Sequence, residues 1–161
     1  MYFERSGKQN TEKTLEIVKR AVNERGIKHV VVASSGGYTA KQFKEANLGV
    51  NLVCVTHVAG FETPGEIEMP EEIRRELAQA GVKVLTTTHV LSGAERGISR
   101  KFGGVYPVEI IANSLRMLGQ GVKVCVEVSV MALDAGLIPY NEEVIAVGGT
   151  GEGADTAVII K

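Results

Sequence analysis

An α/β fold built on a buried, mostly parallel sheet is predicted by three observations. Helical and strand-like patterns alternate along the chain, the strand-like runs are short and β-branched, and glycines gather where those runs stop. The 161 residues suffice for one domain, 1–161, with one core. Lys plus Arg number 18 and Asp plus Glu 19, a net charge of −1 that argues against a nucleic-acid coat or a polybasic membrane patch. No apolar run approaches the roughly 20 residues that cross a bilayer. Met1-Tyr-Phe-Glu-Arg is charged at once, so a secretion signal is not predicted and a cytoplasmic location is expected.

Asn10-Thr11-Glu12 opens the first helix, with Leu15, Val18 and Val22 at helical spacing and Gly26 as its stop. His29–Ser34 is a continuous apolar run that suits a parallel strand buried on both faces. A helix over 38–48 and a second buried strand, Asn51–Thr56, follow. Pro70-Glu71-Glu72 starts a third helix that Gly81 closes before the strand Val82–Thr87. This βαβαβ order implies right-handed crossovers with helices on both faces. Residues 88–106 lack periodicity and read as a long loop, and Pro107 starts a helix through Leu118. Val122–Val130 alternates with period two but runs without a turn residue into Met131–Ala135, so one long buried helix competes with strand plus helix. Glu143–Val147 and Thr156–Ile160 are the last strands.

Glycine makes up 19 of 161 residues, about 12% against a usual ~7%, and it clusters at Gly36-Gly37, across 93–104 and at 148–153. Ligands of open parallel sheets bind beyond the carboxyl ends of strands, which directs attention to these places. Ser34, Ser35, Gly36, Gly37, Tyr38 and Thr39 put hydroxyls and glycines at a helix N-terminus, where N–H groups attract a phosphate. The competing reading is an ordinary N-cap with a glycine turn. Gly148, Gly149 and Thr150 open either a second binding loop or a hairpin turn. Thr56-His57-Val58 and Thr88-His89-Val90 echo one another at two strand ends, with Thr86 and Thr87 just before the second. His57 and His89 are the candidate acid–base residues, or else structural hydrogen-bonders, and without clustered carboxylates or thiols they do not predict a metal site. Arg96, Arg100 and Lys101 either close over a phosphate or are solvated. Glu127 and Asp134, set among apolar residues, either pair with a buried cation or mark a site, and Asp155 supports the glycine turn. Cys54 and Cys125, in valine-rich segments, read as buried free thiols.

The segments 29–43, 52–56 and 143–160 resemble the C-terminal α/β domain of pyruvate kinase. Thr88-His-Val-Leu-Ser-Gly-Ala-Glu-Arg-Gly-Ile, Phe102-Gly-Gly-Val-Tyr-Pro, Leu115-Arg-Met-Leu-Gly-Gln-Gly-Val-Lys-Val and Met131-Ala-Leu-Asp-Ala-Gly are similar to the stand-alone, archaeal-type branch of that family. The resemblance implies a three-layer α/β/α sandwich whose five strands run in the order 3-2-1-4-5, the last antiparallel, and it makes 122–136 a helix. It implies that loops 34–39 and 148–153 face each other. In pyruvate kinases the first loop receives a phosphate of a sugar bisphosphate; Ser34, Gly37, Thr39 and Ala40 match that pattern, while Gly36 replaces its usual serine. The catalytic barrel is absent from this sequence, so pyruvate kinase activity is not expected. The stand-alone branch is similar to proteins that bind flavin mononucleotide (FMN) without an assigned reaction. FMN is therefore the expected ligand, its phosphate on Ser34–Thr39 and its flavin bordered by His57, Thr86–Thr88, His89 and Gly148–Thr150. The alternatives are a non-enzymatic sensor of a phosphorylated metabolite and an enzyme acting on a phosphorylated substrate. No nucleic-acid or membrane partner is expected, and a homo-oligomer that completes its site with a neighbour is compatible with so small a domain.

Overall fold

The computed structural model describes residues 1–161. Its five strands are β1 (His29–Ala33), β2 (Asn51–Val55), β3 (Lys83–Leu85), β4 (Val144–Gly148) and β5 (Thr156–Ile160), in the sheet order β3-β2-β1-β4-β5. β1 pairs in parallel with β2 and with β4, β2 with β3, and β4 pairs antiparallel with β5. The expected sheet is thus observed in order and direction.

Alternation along the strands sorts side chains between two apolar layers. Val30 and Val32 of β1 pack with Val18, Phe43 and Leu77 from α1 (Thr11–Arg25), α2 (Tyr38–Glu45) and α3 (Glu71–Gln79). Val31 faces the other way and packs with Cys125, Val128 and Ala132 of α6 (Gln120–Asp134). Parallel strands covered on both faces bury their central residues, which is why β1, β2 and β4 read as apolar runs after His29, Asn51 and Glu143. Gly26 ends α1 in the left-handed conformation, φ 65°, that a glycine adopts without a Cβ penalty.

Two stretches differ from the sequence expectation. The stretch 88–106, expected as a long loop, contains a helix, α4 (Gly93–Phe102), none of whose residues is buried. Polar ties hold α4 to α5 (Pro107–Arg116): Glu95 Oε2 accepts the Val108 N–H at 2.7 Å, and the Ser99 hydroxyl donates to Glu109 Oε1 at 2.6 Å. A helix fixed by polar contacts carries no apolar stripe to read. Residues 120–134 form one helix, as the family resemblance implied, despite their period of two. α6 presents Cys125, Val128 and Ala132 to the sheet, and an adjoining flank carries Lys123, Glu127 and Met131, so burial extends well around its circumference. No helix is long and apolar enough to cross a membrane.

Candidate functional site

β1 and β4 are neighbours, with β1 followed by β2 on one flank and β4 by β5 on the other, and at such a reversal of strand order open α/β sheets form a crevice. A crevice of about 510 Å³ lies there, within the usual size range for small-molecule sites. Both predicted loops reach it: Ser34, Ser35, Gly36, Tyr38 and Thr39 from one side, Gly149 and Gly151–Gly153 from the other.

The first loop is rich in uncommitted donors. The backbone N–H groups of Ser35, Gly36, Gly37, Tyr38 and Thr39 have no partner within the chain; the Ser34 N–H donates to Val55 O at 3.0 Å, and the first bond inside α2 is Lys41 N–H to Gly37 O. Ser34 Oγ caps the Ala40 N–H at 3.3 Å. Gly37 takes φ 96°, and a run of unbonded N–H groups around such a left-handed residue suits an anion. Thr39 is 2% exposed, and its hydroxyl makes no hydrogen bond within the chain. Across the crevice the N–H groups of Gly149, Gly151, Glu152 and Gly153 are likewise uncommitted, whereas Thr150 N–H donates to Asp155 Oδ2 at 3.1 Å. Asp155 thus braces the glycine turn as its position suggested.

The ends of β2 and β3 contribute the two histidines. His57 Nδ1 lies 3.0 Å from both carboxylate oxygens of Glu68, and its ring stacks on Phe61 with centroids 3.9 Å apart. His89 Nε2 accepts the Val58 N–H at 3.2 Å, which places the imidazole proton on Nδ1. Burial lowers the His89 pKa from its usual value. The Glu127 carboxylate opposes that shift, while His57, Lys123 and Arg96 add to it. The two rings stand 5.5 Å apart, edge to face. Behind them Lys123 and Glu127 form a buried ion pair, each side chain 7% exposed, and Glu127 Oε1 also accepts the Leu91 N–H at 3.0 Å.

Ser34, Ser35, Gly36, Tyr38, Thr39, Thr56, His57, His89 and Gly149 all line the crevice. Gly37, Thr86, Thr87, Thr88, Gly148 and Thr150 are not among the lining residues. Gly37 packs where a Cβ would lie 2.5 Å from Ile73 Cγ2, and Gly148 where one would lie 2.9 Å from Gly121 O, so both glycines serve close packing beside the site. Thr86 shares a 2.7 Å hydrogen bond with Thr56 and accepts one from Arg74 at 2.8 Å. Arg96, on α4 and not on a loop, lines the crevice with its guanidinium 5.2 Å from the Phe61 ring, whereas Arg100 and Lys101 do not line it. Glu127 both pairs with a cation and lines the crevice, and Asp134 does not reach it. Sequence reasoning passed over Phe61, Glu68, Arg116 and Lys123. Only Lys123 left a local trace, four residues before Glu127 on one helix. Cys54 and Cys125 are free and buried, their thiols pushed up to about 12 by desolvation.

The model of one family, the pyruvate kinase alpha/beta domain, matches residues 12–160. The chain belongs to that family. Among solved structures it is similar to a pyruvate kinase from Cryptosporidium parvum, at 16% identity and a TM-score of 0.51, covering 93% of this chain and 22% of that one. A pyruvate kinase from the same organism in complex with ADP matches at 18% identity and TM-score 0.49, covering 93% and 23%. An NH3-dependent NAD synthetase from Campylobacter jejuni matches at 16% and 0.42, covering 84% and 54%. The chain thus spans about a fifth of the length of the pyruvate kinases it matches, and this likeness is one of fold. Within the family domain, the crevice lies where the resemblance placed the facing loops.

Proposed function

We propose that this protein binds a phosphorylated small molecule in the crevice between the β1 and β4 loops, with FMN as the ligand. The observation that carries this reading is the run of uncommitted N–H groups from Ser35 to Thr39, at the N-terminal end of α2 and facing a second donor-rich loop. Hydrogen bonds from such donors to an anion contribute about 1.5–3 kcal/mol each. Ala33, Val55, Val124, Val128 and Met131 supply apolar wall for a planar ring. A single phosphate joined to an apolar ring system matches both halves of the lining. The cytoplasm is the compartment we assign to it. Self-association through α4 and α5 belongs to the same reading, supported by the exposed side chains of Phe102, Ile110 and Ile111.

Titration of the protein with FMN, followed by flavin fluorescence, tests the assignment. Saturable quenching is expected, weakened about 5–10-fold in Thr39→Ala through loss of one hydroxyl donor. Equal, non-saturable signals from both proteins rule FMN out. Stabilisation by sugar phosphates with none from FMN would keep the cradle and replace the ligand.

A further inference from the structure

The crevice contains two histidines whose rings are held by different partners. His57 gives its Nδ1 to Glu68, 3.0 Å away, which fixes the ring and leaves Nε2 without a partner in the chain. His89 gives its Nε2 to the Val58 N–H, which leaves Nδ1–H as a donor, and burial resists charging that ring. One imidazole therefore keeps an unpartnered Nε2, and its neighbour, 5.5 Å away, an unpartnered Nδ1–H. A ring nitrogen free to accept beside one free to donate is the pairing that acid–base chemistry at a bound substrate needs. Neither cysteine lines the crevice, and both thiols are held protonated, so the lining offers no thiolate for covalent chemistry. Arg96 and Lys123 line the same space and favour a developing negative charge, while Glu127 offsets the lysine.

The geometry points to proton transfer at carbon: His57, aimed by Glu68, removes the proton beside the carbonyl of a phosphorylated substrate, and His89 hydrogen-bonds the oxygen that becomes negative. In this step the C–H bond breaks, its proton passes to His57 Nε2, and its electron pair forms the C=C bond of an enolate. The charge settles on the carbonyl oxygen, against His89 Nδ1–H. Return of the proton from Nε2 reverses the step without an oxidant or a reductant. The assignment rests on the phosphate cradle described above and not on the group attached to the phosphate. His57 and His89 are the catalytic residues in this scheme, and Glu68 is a positioning residue.

The test is exchange of carbon-bound hydrogen for deuterium in D2O, followed by proton NMR. Dihydroxyacetone phosphate and ribose 5-phosphate serve as probes, and dihydroxyacetone is the control without phosphate. Wild type is expected to accelerate exchange in at least one phosphorylated probe and not in the control. His57→Asn should lose roughly 100-fold or more of that rate, the usual contribution of a positioned base. Glu68→Gln should lower kcat while leaving KM within about 2-fold, a split that a purely structural role would not produce. His89→Gln should lose rate with phosphate affinity retained. Binding of inorganic phosphate is measured in parallel by calorimetry. Intact phosphate binding without exchange overturns the acid–base pair and leaves the cradle standing; loss of both overturns both. Full exchange in His57→Asn assigns the base elsewhere and also overturns the proposal.

Discussion

Asp155 Oδ2 accepts the backbone N–H of Gly7 at 2.8 Å, joining positions 148 residues apart. The same oxygen accepts the Thr150 N–H, and Oδ1 accepts the Thr156 hydroxyl at 2.7 Å. One carboxylate thus holds the N-terminal segment against the glycine loop. Asp155→Ala leaves two backbone donors without their acceptor and should cost about 1–3 kcal/mol in urea unfolding. The same variant should weaken phosphate binding through the loosened loop. Unchanged affinity would separate the turn from the site.

The Lys123–Glu127 pair should prove costly to break and cheap to replace. Both residues are 5% exposed. Glu127→Ala strands a buried ammonium and should destabilise by about 3–5 kcal/mol, as half-broken buried pairs do. Replacing both residues by Met should recover most of that loss. Complete recovery is not expected, because the Leu91 N–H also loses its acceptor. A double variant no better than the single would show that the charges themselves support the fold.

His89 makes stability depend on pH. Its folded pKa lies below the unfolded value near 6.5, so the unfolded chain takes up this proton first as pH falls. Stability from this group is complete above 6.5 and is lost as pH descends from there toward the lowered folded pKa. Glu127 moderates the effect, while His57, Lys123 and Arg96 strengthen it. Melting temperatures across this window should fall less steeply in His89→Gln than in wild type; parallel curves would contradict the lowered pKa.

Gly37→Ala combines two penalties. A backbone at φ 96° disfavours any Cβ, at about 1–3 kcal/mol, and here that Cβ would lie 2.5 Å from Ile73 Cγ2. Adding Ile73→Ala relieves the contact but not the backbone conformation. In the Ile73→Ala background, Gly37→Ala should therefore lower the melting temperature less than it does in wild type, and no lowering at all would attribute the whole cost to the side chain.

How much of this was legible depended on what each element packs against. β1, β2 and β4 declare themselves because burial on both faces demands continuous Val, Ile and Ala. α4 does not, since Glu95 and Ser99 anchor it and no apolar face marks it. α6 misleads locally because its sheet side and its crevice flank are both buried, and only family resemblance resolved it. The echo of Thr-His-Val after β2 and β3 pointed to His57 and His89, which line the crevice, and to Thr86–Thr88, which do not. β3 is the sheet edge, so those threonines leave it away from the switch point. Glu68 was invisible because its partner sits 11 residues earlier, and one acid among Glu62, Glu66 and Glu68 carries no mark of its own.

The two loops spring from adjacent rungs of a single ladder, in which Val32 of β1 stands opposite Val147 of β4. Neighbouring strands keep a spacing of about 4.8 Å, which cannot widen without tearing the sheet. The bases of the two loops are therefore held at one separation by the ladder itself.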